Sequence, residues 1–221
     1  MLKTKKIKII IVDDHMIVRH GLCQSFSMED NFEVIAEADS GRSAVSLALW
    51  HCPDIVIMDV SMPDLNGIET TKIILANNSN IKVVALTMHA EKVYVMGMLN
   101  AGASGYVLKS SSFKELLKCI NMVLSGEMFF CQEVSLLIAG KNDRPVKDIR
   151  VSVFSLLSRK ERQVLQLVAE GHKSNEIAEK LYISVRTVDV HRVNLKKKLN
   201  INNVAELTKF AISEGITSPN F

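Results

Sequence analysis

Five polar side chains directly follow short apolar runs in the first half of the chain. They are Asp13, Asp14, Asp59, Thr87 and Lys109. Ligands of a parallel α/β sheet bind at the carboxyl ends of its strands, so we expect these side chains to meet at one sheet edge. Each position alone has an ordinary explanation as a helix cap or a solvated group. Chance is a poor explanation for all five in this order.

The chemistry that these residues suggest is phosphoryl transfer to a carboxylate. Three carboxylates placed close together repel one another, and a divalent cation relieves that repulsion. Mg²⁺ prefers oxygen ligands, and Mn²⁺ suits the same ligand type. A phosphoryl group on Asp59 would meet the cation, the ammonium of Lys109 and the hydroxyl of Thr87, which together neutralise its charge.

Alternating apolar runs and helix-length stretches predict the sheet that positions these residues. The apolar runs are at residues 7–12, 33–36, 55–58, 81–86 and 105–108. The helix-length stretches are at residues 15–28, 41–51, 66–77, 90–101 and 112–125. This alternation predicts an α/β fold with a five-stranded, doubly wound parallel sheet.

The pattern changes after residue 128. Residues 129–153 are predicted to form a partly helical linker with one short helix at 132–139. Further helices are expected at residues 159–170, 174–181, 185–199 and 203–213. The short turn between the second and third of these predicts a helix-turn-helix. The expected organisation is therefore a first domain at residues 1–128, the linker, and an all-α four-helix domain at residues 154–221.

Charge and composition narrow the class of protein. The longest apolar runs are too short to cross a bilayer, so no membrane contact is expected. The four cysteines lack metal-ligand or redox spacing, which is typical of reduced thiols in a cytoplasmic protein. Residues 1–130 carry 12 basic and 14 acidic side chains, whereas residues 154–221 carry 11 and 7. Nucleic acid is therefore expected to meet only the second half.

Four segments resemble the receiver domain of two-component response regulators. They read IVDDH (11–15), MDVSMPDLNG (58–67), ALT (85–87) and GYVLK (105–109). The resemblance covers residues 5–126 and implies a flavodoxin-like fold in which a sensor histidine kinase phosphorylates Asp59. It also implies that Asp13, Asp14, Asp59 and the backbone carbonyl of Ser61 hold Mg²⁺, and that Lys109 pairs with the phosphoryl group.

The same resemblance assigns a switch and a control of phosphoryl lifetime. Thr87 would move to bind a phosphoryl oxygen, and Tyr106 would be the aromatic residue that follows, with ordinary packing as its alternative. Ser61 and His89 occupy positions that influence how long the phosphoryl group persists. His15 is expected to begin a helix rather than to bind metal.

Two further segments, at residues 157–165 and 174–199, resemble the LuxR-type helix-turn-helix domain of NarL/FixJ regulators. The helix at 185–199 would lie in the major groove with Arg186 exposed on its first half. Phosphate contacts are expected from Lys173, Thr187, Lys196, Lys197 and Lys198. Base or methyl contacts are expected from Asp189, Val190, Arg192 and Val193.

Two parts of that assignment leave alternatives open. Asp189 could accept from a cytosine amine, orient Arg192, or be a solvated surface charge. The run of residues 196–198 could instead be a solvated face at a helix C-terminus, where cations are favoured.

The sequence therefore predicts a DNA-binding transcriptional regulator rather than a turnover enzyme. Phosphorylation of Asp59 would shift the receiver toward a homodimer that binds promoter DNA. A sensor kinase, double-stranded DNA and a second copy are the expected partners, with RNA polymerase a further candidate. A phosphatase or phosphomutase of the haloacid-dehalogenase type would carry its nucleophile after the first strand, in an Asp-x-Asp pattern. A vestigial receiver, which no longer accepts a phosphoryl group, would lack Asp59 or Lys109, and this sequence has both.

Overall fold

A computed structural model describes residues 6–88, 90–139, 157–199 and 201–218, with the side chains of 136–139 left out. The chain divides into two compact units, Met1–Ala139 and Gly140–Phe221. Each unit has its own cluster of buried apolar side chains. Among the described residues, no helix is both long enough and apolar enough to span a membrane.

The first unit is built around one sheet. Its strands are β1 (Ile7–Val12), β2 (Phe32–Ala38), β3 (Ile55–Met58), β4 (Lys82–Thr87), β5 (Gly105–Leu108) and β6 (Phe129–Phe130). Its helices are α1 (Met16–Ser27), α2 (Gly41–His51), α3 (Gly67–Asn77), α4 (Lys92–Asn100), α5 (Phe113–Leu124) and α6 (Gln132–Ala139). The strand order is β2-β1-β3-β4-β5-β6, and every neighbouring pair is parallel.

Helices cover both faces of the sheet, which explains the almost continuous apolar sequence of its central strands. Every residue of β3 is buried, as are the last four residues of β1. On one face Phe26 of α1 packs edge-on against Phe32 of β2 and Phe113 of α5. Helices α2, α3 and α4 contact one another in sequence order. The predicted doubly wound α/β arrangement is confirmed.

The sheet has one strand more than predicted. Phe129 pairs with Gly105 and Phe130 with Tyr106, so β6 extends the sheet beyond β5. The sequence predicts a linker at these residues because a two-residue strand is too short to show an alternating pattern. Helix α6, which matches the short helix expected at 132–139, also belongs to the first unit. The domain boundaries at residues 128 and 153 stay predictions.

The second unit is helical in its described part. It contains α7 (Arg159–Ala169), α8 (Ser174–Leu181), α9 (Val185–Leu199) and α10 (Val204–Ser213). Ser158 and Glu161 form a capping box that begins α7. The buried side chains of Ile177, Leu195 and Leu207 join α8, α9 and α10 in one core. The four predicted helices are thus present, with ends that agree to within one residue.

Candidate functional site

The carboxylates after β1 and β3 meet at the carboxyl edge of the sheet. Asp13 and Asp59 are 2% and 3% exposed, and the amide of Asp59 donates to the carbonyl of Val12 at 2.8 Å. Potential ligand atoms of Asp13, Asp14, His15 and Asp59 all lie within 4.8 Å of one another. Since β1 and β3 are adjacent parallel strands, their ends bring residues 46 positions apart into one pocket.

Lys109 lies between two of these carboxylates. Its Nζ is 2.7 Å from Oδ2 of Asp13 and 2.8 Å from Oδ2 of Asp59. The lysine follows β5, and its backbone amide donates to the carbonyl of Thr87 at 2.8 Å. The side chain is 8% exposed, so its ammonium is held inside the pocket rather than in solvent.

Burial and neighbouring charges set the protonation of this pair. Burial raises the pKa of Asp59 to about 6; the Lys109 ammonium opposes that rise, and Asp13 and Asp14 add to it. Burial alone would lower the pKa of Lys109, but the carboxylates of Asp59 and Asp13 outweigh it and the net pKa is raised. At neutral pH the pair is therefore an ammonium facing a carboxylate.

The loop after β3 fixes the backbone of Asp59. Gly67, the first residue of α3, donates to the carbonyl of Val60 at 2.8 Å. A Cβ at Gly67 would lie 2.0 Å from the backbone oxygen of Asp59, which no side chain could tolerate. The amide of Ser61 donates to Oδ1 of Asp59 at 3.4 Å. Within the described structure, the buried Oγ of Ser61 has no hydrogen-bond partner.

Thr87 and Tyr106 are fully buried on neighbouring strands. Thr87 ends β4, and Tyr106 lies in β5 between Ala85 and Phe130. Burial raises the pKa of the Tyr106 phenol, so the ring stays protonated. His89, the second residue expected to influence phosphoryl lifetime, lies outside the described residues.

Arg19 belongs to the surroundings of the pocket, although the sequence pattern did not assign it a role. From α1 its Nη1 donates to the backbone oxygen of Asp13 at 2.6 Å, and its Nε is 3.8 Å from Oε2 of Glu37. His15 precedes α1 as expected, and its Nδ1 is 3.1 Å from Asp13 and 2.8 Å from Asp14. The signal that could have found Arg19 is its position one helical turn after His15.

A second set of candidate residues lies on α8 and α9. Arg186, Thr187, Asp189, Val190 and Val193 are all exposed, as expected of a surface that meets DNA. The two valines are each 51% exposed, which is unusual for apolar side chains. Ser184 caps this helix, since its Oγ accepts from the amide of Thr187 at 3.1 Å.

The lysines of this surface differ from one another. Lys173 is exposed just before α8, and its amide donates to Oε2 of Glu176 at 2.9 Å. Lys196 and Lys197 lie near the end of α9. Lys198, by contrast, donates to Oε2 of Glu161 at 2.7 Å. It therefore ties α9 to the start of α7, a structural role that the prediction of a phosphate contact did not include.

Glu161 is a buried acceptor for two elements. It is 3% exposed and also accepts from the backbone amide of Ser158 at 2.7 Å. Burial alone would raise its pKa, but the bonds from Lys198 and Ser158 prevail and hold the pKa below the ordinary value of 4.5.

The hydroxyl of Ser174, to which the sequence pattern assigns no role, links two predicted DNA-contact residues. Oγ of Ser174, the first residue of α8, donates to Oδ1 of Asp189 at 3.0 Å. Nη1 of Arg192 donates to the same Oγ at 3.0 Å. Of the three alternatives for Asp189, the geometry agrees with an interaction that reaches Arg192.

Comparisons with known proteins match both units. Residues 9–121 match the response regulator receiver domain, and residues 155–211 match the luxR family of bacterial regulatory proteins. The transcriptional regulatory protein DegU of Brevibacillus brevis is 33% identical over 223 residues, covering 95% of this chain and 94% of DegU. The response regulator UvrY of Escherichia coli strain K12 is 34% identical over 210 residues, covering 95% of each chain.

Solved structures of a response regulator also match nearly the whole chain. The RcsB response regulator of Salmonella typhimurium superposes with a TM-score of 0.63 at 27% identity, covering 96% of this chain and 99% of RcsB. A structure of RcsB in complex with DNA gives a TM-score of 0.58 at 27% identity, covering 95% of this chain and 99% of that chain.

Proposed function

Because the chain belongs to the family of LuxR-type response regulators, we propose that phosphorylation of Asp59 controls promoter binding by its second unit. As a member of this family the protein is a DNA-binding transcriptional regulator and not a turnover enzyme. The observation that carries the proposal is the buried contact of Lys109 with both Asp59 and Asp13 at the sheet edge. This contact gathers an acceptor carboxylate, a further acid and a cation in one pocket.

The donor set of the pocket fits Mg²⁺. Carboxylate oxygens of Asp13, Asp14 and Asp59 are close enough to share one ion, and hard oxygen ligands are those that Mg²⁺ prefers. The backbone carbonyl of Ser61 is the fourth ligand that we assign, and Mn²⁺ could take the same place. When bound, the ion would neutralise charge on the phosphoryl oxygens.

Asp59 acts as the nucleophile toward a phosphohistidine of a sensor kinase. An oxygen of its carboxylate bonds to phosphorus while the bond from phosphorus to the histidine nitrogen breaks. The reaction needs an ionised carboxylate, which a pKa of about 6 supplies at neutral pH. Lys109 would then pair with the phosphoryl group from within hydrogen-bond reach of the acceptor.

Thr87 and Tyr106 carry the signal away from the pocket in this proposal. The hydroxyl of Thr87 donates to a phosphoryl oxygen, and Tyr106 occupies the space beside it. Complete burial of both residues on neighbouring strands supports this coupling. The resulting shift favours a dimer of the first unit.

The second unit reads promoter DNA through α9. Val190 and Val193 are suited to contact thymine methyl groups in the major groove, because their side chains are half exposed. Lys173, Lys196 and Lys197 supply phosphate contacts that depend on salt. The existence of an RcsB–DNA complex supports this part of the proposal.

The test compares wild-type protein with Asp59→Asn after treatment with a small acyl phosphate donor and Mg²⁺. We expect phosphoryl incorporation, dimer formation and increased DNA affinity in the wild type and none of these in the variant. Asp30→Asn is the matched control, since Asp30 is exposed and distant in sequence from the pocket. If treated Asp59→Asn protein dimerised and bound DNA as well as wild type, the proposal would be wrong.

A further inference from the structure

We propose that Ser174 positions the guanidinium of Arg192 for a DNA phosphate, and that Asp189 acts through Ser174 rather than on a base. The inference rests on the proposed function, because it concerns how the second unit holds DNA. It assigns a role to Ser174 and separates Asp189 from the base-contacting residues.

The geometry is a chain of two hydrogen bonds between helices. Oγ of Ser174 on α8 is 3.0 Å from Oδ1 of Asp189 and 3.0 Å from Nη1 of Arg192, both on α9. Residues 189 and 192 are one helical turn apart, so they present their side chains to the same part of α8. One hydroxyl therefore bridges an acid and a base that are neighbours on the same helix.

The chemistry of a hydroxyl determines which atom donates in each of these two hydrogen bonds. A serine hydroxyl has one proton to donate and two lone pairs that accept. The hydroxyl of Ser174 donates its hydrogen bond to the carboxylate of Asp189, so its lone pairs are directed toward Arg192. Arg192 cannot lose its charge and has only donors, so it requires an acceptor in this orientation. Without Asp189 the hydroxyl could rotate and donate elsewhere.

The position of Ser174 indicates what Arg192 contacts. In a helix-turn-helix the second helix enters the major groove, whereas the first helix crosses the sugar–phosphate backbone. A guanidinium bound to the first residue of α8 is therefore held toward the groove edge rather than the base edges. One donor is used by Ser174, and the remaining N–H groups of Arg192 are free to bind phosphate oxygens in a bidentate contact.

This arrangement also accounts for an acidic side chain on a DNA-binding face. A carboxylate repels phosphates, so Asp189 as a solvated charge would only weaken binding. Its bond to Ser174 gives it a compensating role, since it keeps Arg192 in place.

The experiment uses the full-length protein treated with the acyl phosphate donor. A duplex that the protein binds is first selected from random duplexes of about 30 base pairs. Affinity is then measured for a selected duplex and an unrelated one over a range of KCl concentrations. We expect Arg192→Ala to weaken binding about 10-fold on both duplexes and to reduce the salt slope by about 0.9, as loss of one phosphate contact does. Ser174→Ala should weaken both by about 5-fold, since Arg192 stays but loses its support.

Two variants separate positioning from folding. Ser174→Thr keeps a hydroxyl and should bind like wild type. Ser213→Ala is the matched control, because the hydroxyl of Ser213 bonds only a carbonyl of its own helix. If Ser174→Ala and Ser213→Ala lowered affinity equally, or if threonine failed to restore binding, the positioning role would be wrong.

A double-mutant cycle tests the path from Asp189. Asp189→Ala removes both the repulsion of phosphates and the support of Arg192, but in a Ser174→Ala background only the repulsion is left to remove. The change in affinity caused by Asp189→Ala should therefore differ at least 3-fold between the two backgrounds. Equal effects in both, or an altered base preference at one operator position in Asp189→Ala, would overturn the inference. Wild-type protein that selects no duplex would contradict the proposed function itself.

Discussion

The pocket at the sheet edge and the exposed face of α9 hold their charges in opposite environments. In the pocket Lys109 and Asp59 are buried, so their interaction is barely screened by salt and depends on tenths of an ångström. On α9 Arg186 and Lys197 are exposed, and each adds a small, screened attraction. The first environment suits chemistry on one group of atoms, and the second suits the additive binding of a long polyanion.

Replacing Lys109 should have the largest effect on the chemistry of the pocket. Lys109→Gln keeps length and polarity but loses the charge, and we expect phosphoryl transfer to Asp59 to slow about 100-fold, as loss of one preorganised electrostatic partner does. Incorporation of phosphoryl group from the acyl phosphate donor measures this. Lys114→Gln, at an exposed position on α5, should leave the rate unchanged. A fall of less than about 3-fold would remove the contrast between the two regions.

Distorting the pocket backbone should have the largest effect on stability. Gly67→Ala places a methyl group against the carbonyl of Asp59, and neither backbone can move aside cheaply. We expect the free energy of unfolding to fall by about 3 kcal/mol, at the upper end for overpacking. Urea titration measures it. Gly21→Ala is the control, since nothing lies within 4 Å of its added Cβ on α1, and it should stabilise by about 0.5–1 kcal/mol.

Glu161 is a buried charge in the described part of the second unit, and its loss should cost less. Glu161→Gln removes the partner of Lys198 and weakens the capping box, and we expect a loss of about 2 kcal/mol in the stability of this unit. Amide hydrogen exchange in α7 reports it. Glu179→Gln, on the exposed side of α8, should have no effect.

The same substitution gives a pH dependence with a definite sign. Because folding lowers the pKa of Glu161, its stabilisation is complete above the ordinary pKa and disappears as pH falls through the lowered value. The difference in stability between wild type and Glu161→Gln should therefore narrow as pH falls from about 6 to about 3. A difference that widened on acidification would contradict the assignment of Glu161 as an ionised acceptor.

The smallest effect distinguishes two neighbouring lysines. Lys197→Ala should lower the salt slope of DNA binding by about 0.9 and leave the melting temperature unchanged. Lys198→Ala should instead lower stability by about 1 kcal/mol, because its amine is bound to Glu161. Equal salt slopes and equal melting temperatures in both variants would show that the ion pair has no energetic role.

The pocket could be predicted from sequence because strand ends specify where its residues lie. Asp13, Asp59 and Lys109 each follow an apolar run, and parallel pairing then requires them to share an edge. The roles of Arg19 and Gly67 could not be predicted from strand ends, since they depend on the angle of a helix and the path of a loop. The sixth strand was missed for a related reason, because its two residues have no period.

The helical unit was predictable in its elements but less so in its surface. The helix ends predicted from the sequence lie within one residue of those in the structure. Lys196, Lys197 and Lys198 look equivalent in the sequence, and only tertiary structure places Glu161 beside the last of them. Ser174 was overlooked because a serine at the first position of a helix ordinarily needs no further explanation.

The ammonium of Lys109 between two carboxylates has a consequence for charge neutrality. Three carboxylates and one ammonium give the pocket a formal charge of minus two, which one divalent cation would cancel. Converting the Asp59 carboxylate into an acyl phosphate dianion then adds a single negative charge to a neutral cavity. The pocket would thus admit a highly charged group while its own net charge changes by only one.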